Sequence, residues 1–106
     1  MKGDKLLENY YMSINELAQD ILLLARTEKK IDDQLFDKFY SILIELEREL
    51  KDQEFIPRKI AGLLFFIFRS LSEEAEYCNY NDDLFISVGK LEEILDRIFW
   101  ESPFKK

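Results

Sequence analysis

Histidine is absent from this chain. With it go the side chain best suited to moving protons near neutral pH and the commonest metal ligand. A Cys–His nucleophile pair is excluded on the same ground. Cysteine is almost absent: Cys78 stands alone, so no disulfide can close within the chain, as expected of a reducing, cytoplasmic setting. Its neighbours Glu76 and Tyr77 bring no cation that would stabilise a thiolate, and the thiol reads as inert. Three glycines are too few for a phosphate-cradling loop, and no such motif occurs. With only two prolines beside them, they are also too few for the many turns of a sandwich or barrel.

Positive charge is scarce as well. Lys and Arg number 15 against 22 Asp and Glu, a formal net charge of −7, and no basic run is longer than a pair. Nucleic-acid binders owe most of their affinity to phosphate neutralisation, so DNA and RNA are excluded as expected partners. Anionic lipid is disfavoured for the same reason. Long apolar runs are missing. The longest, Ile60 to Phe68, is about half of what a bilayer crossing needs, which predicts no transmembrane segment. The first residues carry Lys2, Asp4, Lys5 and Glu8 and no apolar signal core, so a cytoplasmic location is expected.

Carboxylates are plentiful but badly placed for chemistry. A bundle dimetal site needs inward Glu residues and Glu-x-x-His motifs. Here Glu45/Glu49 and Glu73/Glu76 fall on polar faces, with no His beside them. The stretch Asn79-Tyr80-Asn81-Asp82-Asp83 lacks the spacing and central Gly of a calcium loop. No catalytic residue, metal ligand or cofactor site is predicted. The chain is expected to act by binding another protein and not as an enzyme.

What is present is apolar and periodic. Of the 106 residues, 47% are hydrophobic and 14% aromatic, enough for one domain over residues 1–106 with its own core. Apolar residues recur at intervals of three and four through four segments, the signature of helices with one buried face. The first is expected at about 4–26, with Asp4 as its cap. The second, at 33–52, follows Asp32 and carries a Glu47–Lys51 pair at the favourable spacing. The third, at 57–77, opens on Pro57, whose fixed φ suits a first helical position. The fourth, at 82–100, is capped by Asn81, and Gly89 within it is expected to permit close approach of a neighbouring helix. Short connections make consecutive helices antiparallel. The predicted fold class is all-α, an antiparallel (up-down) four-helix bundle.

Two aromatic clusters could serve a partner. Phe65, Phe66 and Phe68 make the third helix apolar nearly all round, and the simplest expectation is that they fill a dense core. Phe99, Trp100, Pro103 and Phe104 lie at and beyond the end of the last helix. There they either fold back or stand as anchors, and Trp is favoured at binding hot spots.

The run Ile42-Leu43-Ile44-Glu45-Leu46-Glu47, the connector to Pro57, and then Lys59-Ile60-Ala61-Gly62-Leu63-Leu64-Phe65-Phe66 resemble the pediocin-like bacteriocin immunity proteins, the family of the enterocin A immunity protein. Ile14-Asn15-Glu16-Leu17 with Asp20-Ile21-Leu22 is similar to that family's opening helix. Asp82-Asp83 and Leu91-Glu92-Glu93-Ile94-Leu95 are similar in kind to its last. The resemblance implies a cytosolic four-helix bundle that protects a producing cell from its own pore-forming peptide. It would act from the cytoplasmic side on the membrane-embedded mannose phosphotransferase permease with bacteriocin bound. Specificity in the family lies largely in the C-terminal half, so the resemblance implies Phe99, Trp100, Phe104, Lys105 and Lys106 as partner-binding residues. The acidity of this chain, where many of that family are basic, leaves room for a basic cytoplasmic loop as the contact. A cytosolic regulatory or adaptor bundle that inhibits a protein partner is the alternative. A homodimer is the reading to be favoured if Phe65 and Phe66 face outward.

Overall fold

A computed structural model describes residues 2–28, 31–77 and 82–100, with side-chain detail for 5–28, 31–76 and 83–100. Cys78, Asn81, Phe104, Lys105 and Lys106 lie outside the described residues, so the expectations resting on them stand only as stated above. Every regular element among the described residues is a helix: α1 spans Lys2–Thr27, α2 Asp33–Leu50, α3 Arg58–Tyr77 and α4 Asp82–Phe99. No strand occurs among the described residues.

The start of α2 shows how local chemistry sets a boundary. Asp32 has extended backbone angles, φ −102° and ψ 108°, and its carboxylate accepts from the N–H groups of Gln34 and Leu35. Those bonds, 2.9 and 3.2 Å long, satisfy two donors that a helix start leaves without intrahelical partners. The helix closes in a tight turn in which the Gln53 N–H donates to the Leu50 carbonyl at 2.9 Å. At α3 the Ala61 N–H donates to the Pro57 carbonyl at 3.0 Å, so Pro57 is the residue just ahead of the helix and not its first. Asp4 lies within α1, which begins at Lys2, and is not its cap.

Each helix buries the stripe its spacing dictates. Ile14, Ala18 and Ile21 come from α1, Phe36, Phe39, Leu43 and Leu46 from α2, Ile60, Leu64, Ile67 and Leu71 from α3, and Leu84, Leu91 and Leu95 from α4. All join one contiguous cluster. Burying a side chain of this size stabilises by roughly 1.5–3 kcal/mol, so the stripes together supply the main driving force. No buried side-chain nitrogen or oxygen among the described residues lacks a hydrogen-bond partner.

The helices pack in the pairs α1 with α2, α3 with α4, α1 with α3, and α2 with α4. Packing of α2 against α3, expected of every consecutive pair, does not occur among the described residues. The connector 51–57 is long enough to reach over 20 Å when extended, at ~3.3 Å per residue, so it can carry the chain to the diagonal position. Within the pairs, early residues meet early residues. Lys59 at the start of α3 binds Glu8 near the start of α1 at 3.0 Å, while Arg26 near the end of α1 binds Glu74 near the end of α3 at 3.2 Å. Likewise the Tyr40 hydroxyl donates to the Ser87 carbonyl at 2.7 Å, and farther along Glu47 binds Arg97 at 3.1 Å. Glu47 therefore pairs across to α4, where the spacing had suggested Lys51.

Two further expectations are overturned. Phe65 and Phe66 are 65% and 51% exposed and do not fill the core. Only Phe68 of that cluster packs against it. Gly89 is exposed, and a Cβ built on it meets nothing within 4 Å, so no neighbouring helix approaches there.

Candidate partner-binding site

The ends of α2 and α4 lie side by side and enclose a cleft. Leu50, Lys51 and Gln53 contribute from one side, and Arg97, Phe99 and Trp100 from the other. Continuation of α4 places the last of these, since the Trp100 N–H donates to the Asp96 carbonyl at 2.9 Å. The helix ends at Phe99, and this last bond fixes Trp100 just beyond it, with both rings held off the core. Phe99 is 43% and Trp100 66% exposed. Of the C-terminal residues singled out from the sequence, the structure brings these two together at the cleft.

Charge around the cleft is mixed. Glu47, Glu93 and Asp96 alternate with Arg48, Lys51 and Arg97. Two helix C-termini converge here, and each carries the partial negative charge of its last carbonyls. The Glu47–Arg97 pair ties the walls together and leaves Arg48 and Lys51 exposed. A surface of this kind can hold an apolar or aromatic side chain against Trp100 and a cationic group against the carbonyls and acids. Among the described residues it has no nucleophile with a base beside it.

Phe55 escaped notice in the sequence. It sits in the connector two residues past Gln53 and is 81% exposed, the most open of the large hydrophobic side chains among the described residues. An aromatic residue in a connector belongs to no helical phase, so periodicity could not flag it. Its neighbourhood, Asp52-Gln53-Glu54, was the available signal, because a lone ring in a polar turn has no core to join.

A second, smaller depression lies between the starts of α1 and α3, lined by Leu7, Glu8, Tyr11, Pro57, Lys59 and Ile60. The Lys59 ammonium stands 4.1 Å from the centre of the Tyr11 ring and also binds Glu8, so its charge is satisfied within the fold. Tyr10, one residue earlier, has its hydroxyl pKa raised by burial and then by the Glu45 and Glu49 carboxylates. That places the beginning of α1 beside the later part of α2. Burial, with Asp37 adding to it and the Ser87 side chain pulling the other way, pushes Tyr40 up to about 12. It is a structural hydroxyl between α2 and α4 and faces no cleft.

The carboxylate pairs Glu45/Glu49 and Glu73/Glu76 are exposed. No group of three His, Cys, Asp or Glu among the described residues could hold a metal ion. No described helix is long and apolar enough to cross a membrane. The class these observations define is an all-helical assembly of four packed helices with an aromatic, mixed-charge cleft at the ends of α2 and α4. No protein-family model, curated protein or solved structure matches the chain.

Proposed function

We propose that the chain is a non-enzymatic, protein-binding helical bundle that grips its partner at the α2/α4 cleft. Its role is then the bacteriocin immunity that the sequence resemblance implies, exercised on the permease–bacteriocin complex from the cytoplasmic side. The single observation that carries the binding reading is Trp100. It is a large anchor left 66% exposed just past the end of α4, beside a cleft rather than over the core. Trp concentrates binding energy in such settings, because one ring covers much area and loses few rotamers on contact. The three acids and three bases of the cleft balance, so the two converging helix C-termini tip it toward a partner segment that carries Lys or Arg, the charge sign of a cytoplasmic loop of a membrane protein.

The same proposal includes the direction of the helices. Alternation at each connection, up, down, up and down, accounts for early residues meeting early residues in α1/α3 and α2/α4. It also gathers the cleft, the connector with Phe55 and the starts of α1 and α3 at one end of the bundle.

The test is gain of resistance in a bacteriocin-sensitive strain that expresses the full chain, against a panel of pediocin-like peptides. Resistance to at least one peptide is expected. It should be lost on deletion of 99–106 and reduced on Trp100→Ala, with both variants checked for helical content. No protection against any peptide refutes the immunity role. A stable complex with a soluble protein in its place, still dependent on Trp100, would establish the regulatory adaptor.

A further inference from the structure

The outward face of α3 has a composition that the monomer does not explain. Arg58, Gly62, Phe65, Phe66, Arg69, Glu73 and Glu76 are all exposed and recur at helical spacing opposite the buried Ile60, Leu64, Ile67 and Leu71. Its charges run against the helix's own dipole. The first turn holds cations and no acid, and the last turn holds acids and no cation, the reverse of the stabilising arrangement. Lys59 and Glu74 have their reason inside the molecule, in ion pairs to α1. Arg58 and Glu76 have no ion-pair partner among the described residues, and Glu73 has only the exposed pair with Arg69. Gly62 is as costly and as unexplained, because an added Cβ there meets nothing within 4 Å.

We propose that this face binds a second copy of the chain, with the two α3 helices antiparallel about the Phe65–Phe66 pair. Arg58 and Glu73 stand equally far from the midpoint of that pair, and so do Gly62 and Arg69. A two-fold axis through the midpoint therefore sets Phe65 against the other copy's Phe66, Arg58 against its Glu73, and the long Arg69 stem over the bare backbone of its Gly62. The self-complementarity is that of an isologous contact, in which one patch serves both partners. It aligns the basic start of one helix with the acidic end of the other and their dipoles head to tail. The unpaired Arg58, the bare Gly62 and the two exposed rings each gain a counterpart.

The size of the strip sets the strength. It is about 30 Å long and about 10 Å wide, below the roughly 800 Å² per partner of a standard stable interface. The association is therefore weak, with a dissociation constant between about 1 μM and 1 mM. Sedimentation of the full chain at physiological salt, from micromolar to about 1 mM, is expected to show the average mass rising toward that of a dimer. Phe66→Asp should hold the mass at the monomer. Arg58→Glu and Glu73→Arg should each weaken association about tenfold, on the order of two exposed ion pairs lost and reversed. The double reversal should restore it to near the wild-type value. Arg58→Glu sets charge with the helix dipole, while Glu73→Arg gives up the exposed pair with Arg69, so circular dichroism separates lost association from lost folding. A wild type that stays monomeric throughout overturns the proposal and leaves the face to another protein or to the chain's own C-terminal residues. Unchanged association of Phe66→Asp overturns the choice of face, and a double reversal that fails to restore association overturns the antiparallel register.

Discussion

Replacing Gly89 by alanine should make this protein more stable, and the size of the gain can be worked from the structure. Gly89 lies inside α4 with no left-handed φ, on an exposed face, and a methyl group added to it finds open space. Nothing opposes the intrinsic difference between the two residues. That difference is about 0.8–1.0 kcal/mol in a helix interior, because glycine gives up more backbone freedom on folding. For a chain of this size each kcal/mol raises the melting temperature by about 4–8 °C. Gly62 in α3 meets the same conditions, and the two sites are on different helices, so the double variant should gain close to the sum, about 2 kcal/mol. Urea unfolding followed by far-UV circular dichroism, at protein concentrations below self-association, reads this directly. The midpoint should move up while the slope with denaturant stays fixed. A neutral or destabilising Gly89→Ala would refute the reasoning, since it would mean that something packs on that face of α4.

Other perturbations test the remaining links. Asp32→Ala removes a carboxylate that accepts two backbone N–H groups at the start of α2, and should cost about 1 kcal/mol in the same urea assay; Asp32→Asn should recover most of that loss. Leu46 is fully buried in the cluster shared by all four helices, so Leu46→Ala should cost roughly 2–5 kcal/mol through lost burial and the cavity left behind. A cost below 1 kcal/mol there would mean that the core collapses around the gap. The folded pKa of Tyr40, about 12, lies above its ordinary value of 10.0. As pH rises the unfolded chain loses that proton first, so stability that is whole below pH 10 declines between pH 10 and 12. Tyr40→Phe should flatten that decline in alkaline unfolding curves, and an equally steep decline in the variant would remove Tyr40 as its source.

The helices were legible because their signal is a repeat along the chain. In α2 the spacing of Phe39, Leu43, Leu46 and Leu50 named the buried face, and Asp32 named the boundary. In α3 phase and hydrophobicity point different ways. Ile60, Leu64, Ile67 and Leu71 are in phase, whereas hydrophobicity alone places Phe65 and Phe66 in the core. Phase was the better guide: the two rings share their side with Arg58, Arg69 and Glu73, residues that do not enter a core unpaired. The diagonal placement of α2 and α3 had no signal in the sequence. Periodicity says which face is buried but not which neighbour covers it, and the connector 51–57 is long enough for either arrangement. At the α2/α4 cleft, Phe99 and Trp100 were visible as aromatics at a helix end. The opposing wall of Arg48, Lys51 and Gln53 comes from a distant segment and emerges only on folding.

The diagonal connector has a consequence for how such a molecule can vary. Because α2 and α3 do not pack on one another, the strap between them is tied to the scaffold chiefly at its end, where Ile56 packs on the core, and its length ahead of that residue changes stability only with the slow logarithm of loop closure. It also carries Phe55, the ring most open to solvent among the described residues. Insertions, deletions and exchanges in this stretch can reshape what the protein grips while the four rods beneath keep their seats, so the strap is where new specificity is cheapest to try.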